Sequence, residues 1–234
     1  MNSYSDSLNI NFEELTRNGY LRLPSLVDYC DLREWSKKII LSNKSETFTE
    51  ATDQHISFIE ELGITTTLAS KLYEYAHNVH DYRGDRLNQY HIARYIMPKN
   101  NNESYRSHYD SHLLTLVLPV QIPKASSQYT TGQLVYKPNA RRVPQNELQN
   151  IFQKLSSKKY GSASATTKLM EQEGVLVENF IDYCPLLFLG RTTLHANLPV
   201  SEFCEVPRLT LLAHFFDPNP TYGVGAFLRL LRRR

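Results

Sequence analysis

Three residues of this 234-residue chain have the types and the spacing of a metal site. His108 and Asp110 are separated by one residue, so in an extended segment their side chains point to the same side. His195 follows an apolar stretch, Leu186–Leu189, after a short turn and offers a second imidazole. Two imidazoles and one carboxylate leave coordination positions open, which suits catalytic iron(II) better than structural zinc. The pattern therefore predicts that His108, Asp110 and His195 are the metal ligands of a catalytic site.

Two further histidines compete with His195 for the third ligand position. His214 lies inside an apolar strand pattern, where it could line a pocket or belong to the core. His112 is two residues beyond Asp110 and could point toward the same ion. The sequence alone leaves both alternatives open.

The segment 207–216 carries a second polar feature. On a strand, Arg208 and Thr210 share one face. An arginine that faces the interior needs an anionic partner, because burying an unpaired guanidinium is costly, and a carboxylate fits its fork. A dicarboxylate held by the metal at one end and by Arg208 and Thr210 at the other would satisfy both halves. Arg94 and Arg191 are alternative anchors.

The hydropathy pattern predicts a mainly β protein with α-helices. Residues 26–41 and 67–79 have helical periodicity. After residue 86 the pattern changes to short strands with turns between them, which favours a double-sheet or jelly-roll barrel. The predicted strands are 89–97, 113–122, 132–136, 175–181, 186–189 and 209–216.

We interpret residues 1–234 as a single domain with four parts. Residues 12–85 form an N-terminal helical support, and residues 86–216 form the jelly-roll core. Residues 140–174 look like an insertion between core strands, and such insertions often act as lids. Residues 217–234 form a C-terminal tail.

The composition limits the partners, the membrane segments and the cysteine-based sites that are compatible with this chain. A net charge of +2 gives no global field for a nucleic-acid partner. No apolar stretch reaches the length of about 18 residues that a membrane span needs. Three distant cysteines, with no C-x-x-C spacing, give neither a zinc ribbon nor a disulfide framework. A cytoplasmic location is the simplest expectation.

The motifs together resemble the iron(II)- and 2-oxoglutarate-dependent dioxygenases. That family shows H-x-D, a distal histidine, and an arginine with a nearby hydroxyl about a dozen residues later, here Arg208 and Thr210. Tyr105-Arg-Ser-His108-Tyr-Asp110, after the strand with Tyr95, is similar to the prolyl-hydroxylase-like pattern Y-x-x-H-x-D. The segment from His195 to Val200 resembles the H-x-x-x-P-V segment of that group, and residues 12–24 resemble the opening of phytanoyl-hydroxylase-like members.

This resemblance implies a double-stranded β-helix fold, the jelly-roll of the cupin-like proteins. It also implies iron(II) as the metal, with 2-oxoglutarate and O2 as cosubstrates. The expected reaction hydroxylates a C–H bond and releases succinate and CO2. Asp110 argues against halogenation, since halogenating members usually carry glycine or alanine there. The residues expected to contact 2-oxoglutarate are Arg208, Thr210, Tyr95 and Tyr105.

The substrate is the least determined part of the hypothesis. A small molecule or an amino acid is favoured, because no separate recognition domain is evident, and a peptidyl substrate is an alternative. Two other classes stay open: a cupin-type metal enzyme that does not use 2-oxoglutarate, and a non-catalytic binding protein on the same fold. The oligomeric state is not predicted.

Overall fold

The computed structural model describes residues 9–26, 29–42, 49–100, 104–124, 126–144, 149–150, 152 and 161–218. Within these residues the helices are α1 (Phe12–Asn18), α2 (Tyr29–Ser42), α3 (Asp53–Glu61), α4 (Ala69–His80) and α5 (Ala163–Met170), with a π-helical turn at Ile64–Leu68. The strands are β1 (Tyr20–Arg22), β2 (Thr49–Glu50), β3 (Gln89–Ile96), β4 (Leu114–Gln121), β5 (Leu134–Lys137), β6 (Leu176–Glu178), β7 (Leu186–Leu189), β8 (Leu194–Asn197) and β9 (Arg208–Phe215).

The strands form two antiparallel sheets. The large sheet has the order β1-β7-β4-β9-β3-β2, and the small sheet has the order β6-β5-β8. Apolar side chains from both sheets meet between them, among them Phe188 of the large sheet and Leu134 of the small one. Every residue of β9 is buried, because one face meets this inner core and the other meets the helices. The predicted mainly β architecture with double sheets is confirmed.

The N-terminal helices cover the outer face of the large sheet. Leu15 of α1 and Leu72 of α4 are completely buried, in one cluster with Leu116 and Leu211 of the sheet. Each such leucine contributes about 1.5–3 kcal/mol relative to an exposed position. The predicted helical layer is therefore present, and it leaves the inner face of the large sheet for the functional site.

Several elements differ from the sequence expectation. The predicted helices at 26–41 and 67–79 correspond to α2 and α4, whereas α3, β2 and β8 were not predicted. The proposed insertion contains α5, which packs Leu169 on the outer face of the small sheet. Residues 145–148, 151 and 153–160 of that insertion, and residues 219–234 of the tail, lie outside the described residues. None of the helices in the described part is both long and apolar enough to cross a bilayer.

Candidate metal centre

Backbone pairing brings the two predicted ligand histidines together. The N–H of His108 donates to the carbonyl of His195 at 3.0 Å, and the reverse bond measures 3.1 Å. The N–H of Asp110 then donates to the carbonyl of Gly190 at 3.0 Å. The segment before β4 is thus fixed against both β8 and the end of β7, and the two imidazole centroids are 4.3 Å apart.

The ligand atoms of the three residues converge on one point. Asp110 Oδ1 lies 3.6 Å from His108 Nε2 and 3.8 Å from His195 Nε2. All three ligand atoms lie within 4.8 Å of one another, and no other group of histidine, cysteine or carboxylate residues in the described chain meets this criterion. The arrangement is compact enough for a single divalent ion.

Hydrogen bonds on the far side of each ring orient the imidazoles toward this point. His108 Nδ1 lies 2.7 Å from the Arg106 carbonyl, and His195 Nδ1 lies 3.2 Å from the Thr193 carbonyl. Because a carbonyl only accepts, each Nδ1 is the protonated donor, and the lone pair is on Nε2. Metal-binding histidines are held by such bonds in most proteins. The donor set therefore fits a metal ion.

Asp110 is held in place by a hydroxyl. Thr115 Oγ1 donates to Asp110 Oδ2 at 2.6 Å, which leaves Oδ1 toward the histidine nitrogens. Burial alone would raise the pKa of Asp110, but His195, His214, His108 and this hydrogen bond lower it below its usual range. The carboxylate is therefore ionised and ready to bind a cation.

The competing histidines lie behind the carboxylate. His214 Nδ1 is 3.0 Å from Thr115 Oγ1 and 3.7 Å from Asp110 Oδ2. The His112 ring is nearly parallel to the His214 ring, with centroids 5.2 Å apart. Neither belongs to the group of three converging ligand atoms, so both are placed in the layer that supports Asp110.

His108 is the most exposed of the three candidate ligands. The side chains of His195 and Asp110 are 5% and 8% exposed, whereas that of His108 is 39% exposed. Loss of hydration where the ring packs against its neighbours, and then the nearby His195, lower the pKa of His108, which favours the neutral form that binds metals. Access for small molecules is therefore next to His108.

A glycine makes the close packing at Asp110 feasible. A Cβ atom at Gly190 would lie 2.8 Å from the His112 carbonyl oxygen and 2.9 Å from Thr115 Oγ1. It would also lie 3.0 Å from Asp110 Cβ. Since real Cβ atoms do not approach other atoms so closely, any side chain here would displace the segment that carries the ligands.

The second polar feature, Arg208, is a buried cation. It is 2% exposed, its Nη1 donates to Asn197 Oδ1 at 3.1 Å, and its guanidinium lies 5.1 Å from the centre of the Phe180 ring. Its buried Nε has no hydrogen-bond partner among the described residues. Burial, then the charge of Arg94, lower the pKa of Arg208 to about 9, which still leaves it charged at neutral pH. Such a buried charge needs an anionic partner.

Strand register places Arg208 in the same interior as the metal ligands. Arg94 pairs with Thr210 across β3 and β9, so both face the inner core together with Arg208. On β8, Asn197 is two residues beyond His195 and shares its face, at a spacing of about 7 Å. Because Asn197 binds Arg208, the guanidinium lies one strand step from the candidate metal centre.

Two residues predicted to contact 2-oxoglutarate are placed elsewhere. Tyr95 alternates with Arg94 and faces the helical layer, where its hydroxyl lies 3.2 Å from His55 Nε2. Tyr105 packs against Leu194 on the outer face of the small sheet, opposite to the face of His195. The structure therefore does not bring either tyrosine to the face that carries His195 and Arg208, because the helices cover the Tyr95 face of β3 and Tyr105 packs on the outside of the small sheet.

Four residues of this interior were not predicted from the sequence. Asn197 could have been predicted from the sequence, since it is two residues from His195 and therefore on the same strand face. Tyr136 pairs with His195 across the small sheet, which only the register reveals. The sequence did not indicate a role for Thr115 or Phe180, because these roles follow from contacts that only the folded chain forms, with Asp110 and with Arg208.

No family model matches the sequence, and no curated protein matches it either. Solved structures do match the fold. A prolyl-4-hydroxylase from Pseudomonas putida is 11% identical with a TM-score of 0.51, over 88% of this chain and 96% of that one. EvdO2 from Micromonospora carbonacea, complexed with 2-oxoglutarate, is 12% identical with a TM-score of 0.51, over 87% and 88% of the two chains. This chain has the fold of the 2-oxoglutarate-dependent oxygenases.

A third similar structure shows how broad this fold is. SnoN, described as a non-haem α-ketoglutarate-dependent epimerase of nogalamycin biosynthesis, is 12% identical with a TM-score of 0.50. It is matched over 87% of this chain and 79% of its own. The oxygenase fold predicted from the motifs is confirmed, and one fold carries both a hydroxylase and an epimerase. The fold alone therefore does not determine which reaction this chain catalyses.

Proposed function

We propose that this protein is an iron(II)- and 2-oxoglutarate-dependent oxygenase. The observation that carries the proposal is the buried Arg208, which has no ion-pair partner among the described residues and lies one strand step from the His108, Asp110 and His195 group. The alternative of a cupin-type metal enzyme without 2-oxoglutarate does not explain a cation buried at this position. The alternative of a non-catalytic binding protein does not explain why the three ligand side chains are oriented toward one point.

His108, Asp110 and His195 would hold the iron, since their donor atoms converge and their other polar atoms are already hydrogen-bonded. When bound, iron(II) supplies the activation of O2 that is coupled to decarboxylation of 2-oxoglutarate. Thr115 keeps the carboxylate of Asp110 in one orientation, and the carbonyls behind the imidazoles prevent their rotation.

Arg208 would bind the carboxylate of 2-oxoglutarate that is remote from the metal. Thr210 shares its face and can donate a hydroxyl, and Arg94 lies beside Thr210 across the strands. The apolar ring of Phe188, 5.0 Å from that of His195, excludes water from the wall of this interior. In such a dry environment a guanidinium–carboxylate pair is stronger than at the surface.

The substrate would enter beside the exposed edge of His108. In the described start of the 140–174 insertion, Arg141 lies over the ring of Tyr109, 3.9 Å from its centre, and this ring packs with the apolar cluster on the outer face of the small sheet. The role of the insertion as a lid stays a prediction from the sequence. Hydroxylation of a C–H bond in a small molecule or amino acid is the reaction that we favour, and a peptidyl substrate is the alternative.

The test is turnover of 2-oxoglutarate. Purified protein supplied with iron(II), ascorbate and O2 should form succinate and CO2 in equal amounts, and a panel of small molecules, amino acids and peptides should accelerate this turnover when the substrate is present. His108→Ala should abolish succinate formation, whereas His77→Ala, at a partly exposed position of α4, should leave it unchanged. If the iron-loaded protein neither binds nor consumes 2-oxoglutarate, the proposal is wrong.

A further inference from the structure

A buried carboxylate lies close to Arg208 without pairing with it. Glu178, at the end of β6, pairs across the small sheet with Leu134, whose side chain belongs to the inner core. Its side chain is only 10% exposed. Glu178 Oε1 accepts the N–H of Phe180 at 3.0 Å, and the Phe180 ring lies beneath the Arg208 guanidinium. Glu178 thus binds the backbone of the same phenylalanine whose ring lies against Arg208.

An arginine of the other sheet engages this carboxylate. Arg22 of β1 places its Nε 3.0 Å from Glu178 Oε2. Its Nη2 atom binds both carboxylate oxygens of Asp182, at 2.7 and 2.8 Å. Both oxygens of Glu178 are therefore occupied, one by Phe180 and one by Arg22. This ion pair also joins β1 of the large sheet to β6 of the small sheet.

The position of Glu178 matters for the anion site. Burial and Arg94 lower the pKa of Arg208, and the negative charge of Glu178, across Phe180, opposes this lowering. If Glu178 lost Arg22, a nearly buried carboxylate would be left without its cation, and such a charge is strongly destabilised. Arg208 is the other cation close to it. An internal Glu178–Arg208 pair would then compete with any external carboxylate for the same guanidinium.

We infer that Arg22 is a positioning residue of the cosubstrate site. Its ion pair keeps Glu178 at the edge of the sheets, so that the guanidinium of Arg208 stays available to the carboxylate of 2-oxoglutarate. This inference rests on the proposed function. Arg22 itself is about half exposed and touches neither the metal ligands nor Arg208, so its effect passes entirely through Glu178.

The test measures 2-oxoglutarate binding, not turnover, with manganese(II) in place of iron and O2 excluded. Isothermal titration calorimetry gives the Kd for the wild type and for Arg22→Gln, which we expect to bind 2-oxoglutarate about tenfold more weakly, within the usual range for coupled sites. Adding Glu178→Gln to Arg22→Gln removes the competing charge, so the double variant should recover near-wild-type affinity. A merely structural role of Arg22 would predict no such recovery.

Asp182→Asn is the matched control, because it removes the other partner of Arg22 and leaves the Glu178 pair in place. It should bind 2-oxoglutarate like the wild type. The inference is overturned if Arg22→Gln leaves the Kd unchanged, if the double variant stays as weak as the single one, or if Asp182→Asn is as weak as Arg22→Gln. Should Arg22→Gln fail to fold, Arg22→Ala tested with and without Glu178→Gln gives the same comparison.

The proposed function and this inference fail in different ways. Absence of 2-oxoglutarate binding by the wild type, or unchanged binding by Arg208→Met, contradicts the proposed function. A wild type that binds 2-oxoglutarate through Arg208, with no effect of Arg22→Gln, contradicts the inference alone.

Discussion

Replacing Arg208 by methionine should leave the ligand-free protein at least as stable as the wild type while removing its affinity for 2-oxoglutarate. Burial and the charge of Arg94 lower the pKa of Arg208 from the usual range of arginine to about 9. At about 1.4 kcal/mol for each pH unit, keeping this guanidinium charged inside the fold costs roughly 5 kcal/mol at most. Methionine fills a similar volume and carries no charge.

The expected gain in stability is smaller than this upper limit. The variant leaves the buried Asn197 Oδ1 without the hydrogen bond from Arg208, which costs about 1–3 kcal/mol. Replacing buried charges by apolar side chains is typically neutral or stabilising by about 1–4 kcal/mol. In a chain of this length, about 1 kcal/mol raises Tm by roughly 2–4 °C. We therefore expect the Tm of Arg208→Met to be equal to the wild-type Tm or several degrees higher.

The same variant should lose the binding of 2-oxoglutarate. Removing one partner of a buried charge pair costs about 2–5 kcal/mol, which is at least about 30-fold in Kd. Urea unfolding and thermal unfolding, each with and without manganese(II) and saturating 2-oxoglutarate, measure both effects in one set of samples. Ligand at about 100 times its Kd should stabilise the wild type by about 2.7 kcal/mol, and the variant much less.

The control is Arg17→Met on the exposed surface of α1, which should change stability by no more than about 0.5 kcal/mol. One combination of results would refute the proposed role of Arg208. If Arg208→Met lost more than about 2 kcal/mol of stability and kept its affinity for 2-oxoglutarate, Arg208 would be a structural cation of the core, and the proposed anion site would be elsewhere.

Three further predictions concern the surroundings of the site. Thr115→Val removes the hydroxyl on Asp110 and should weaken manganese(II) binding about 10- to 100-fold, measured by calorimetry, whereas an unchanged Kd would mean that the hydroxyl does not orient the ligand. Gly132→Ala should destabilise the fold by about 1–3 kcal/mol and weaken 2-oxoglutarate binding, because φ is +83° and the new Cβ would lie 2.9 Å from Arg208 Cδ. Gly174→Ala is its control, since φ is +75° there but nothing lies within 4 Å, so a loss of 2-oxoglutarate affinity in both variants would count against the clash. Burial, and then His112, lower the pKa of His91 to about 4 in the folded protein. Its neutral form is therefore favoured by folding, and this stabilisation, up to about 3 kcal/mol, is complete above pH 6.5 and is lost as the pH falls from 6.5 through 4. Urea unfolding of metal-free protein between pH 7.5 and 5 should show a shallower loss of stability in His91→Gln than in the wild type, and parallel curves would refute the assignment.

The sequence determines which side chains of one extended segment point to the same side, because side chains alternate with a period of two. It places His108 and Asp110 on one side of their segment and Arg208 and Thr210 on one face of β9, and the structure has both pairs in these orientations. The long apolar runs likewise predict the buried central strands, and the helical periodicity predicts α2 and α4. These inferences succeed because each depends only on residues that are near one another in the chain.

Only tertiary structure decides which face of a strand is covered by which layer. The alternation of Arg94 and Tyr95 predicts that one of the two side chains faces the interior between the sheets. The helices pack on the Tyr95 side of the strand, so the side chain that faces the interior is that of Arg94. The choice of His195 over His214 depends on the bridge between His108 and His195, which joins residues 87 positions apart. The contacts of Arg208 with Asn197 and Phe180 arise in the same way. Local periodicity fixes the relative direction of neighbouring side chains, but pairing between distant strands fixes what those side chains meet.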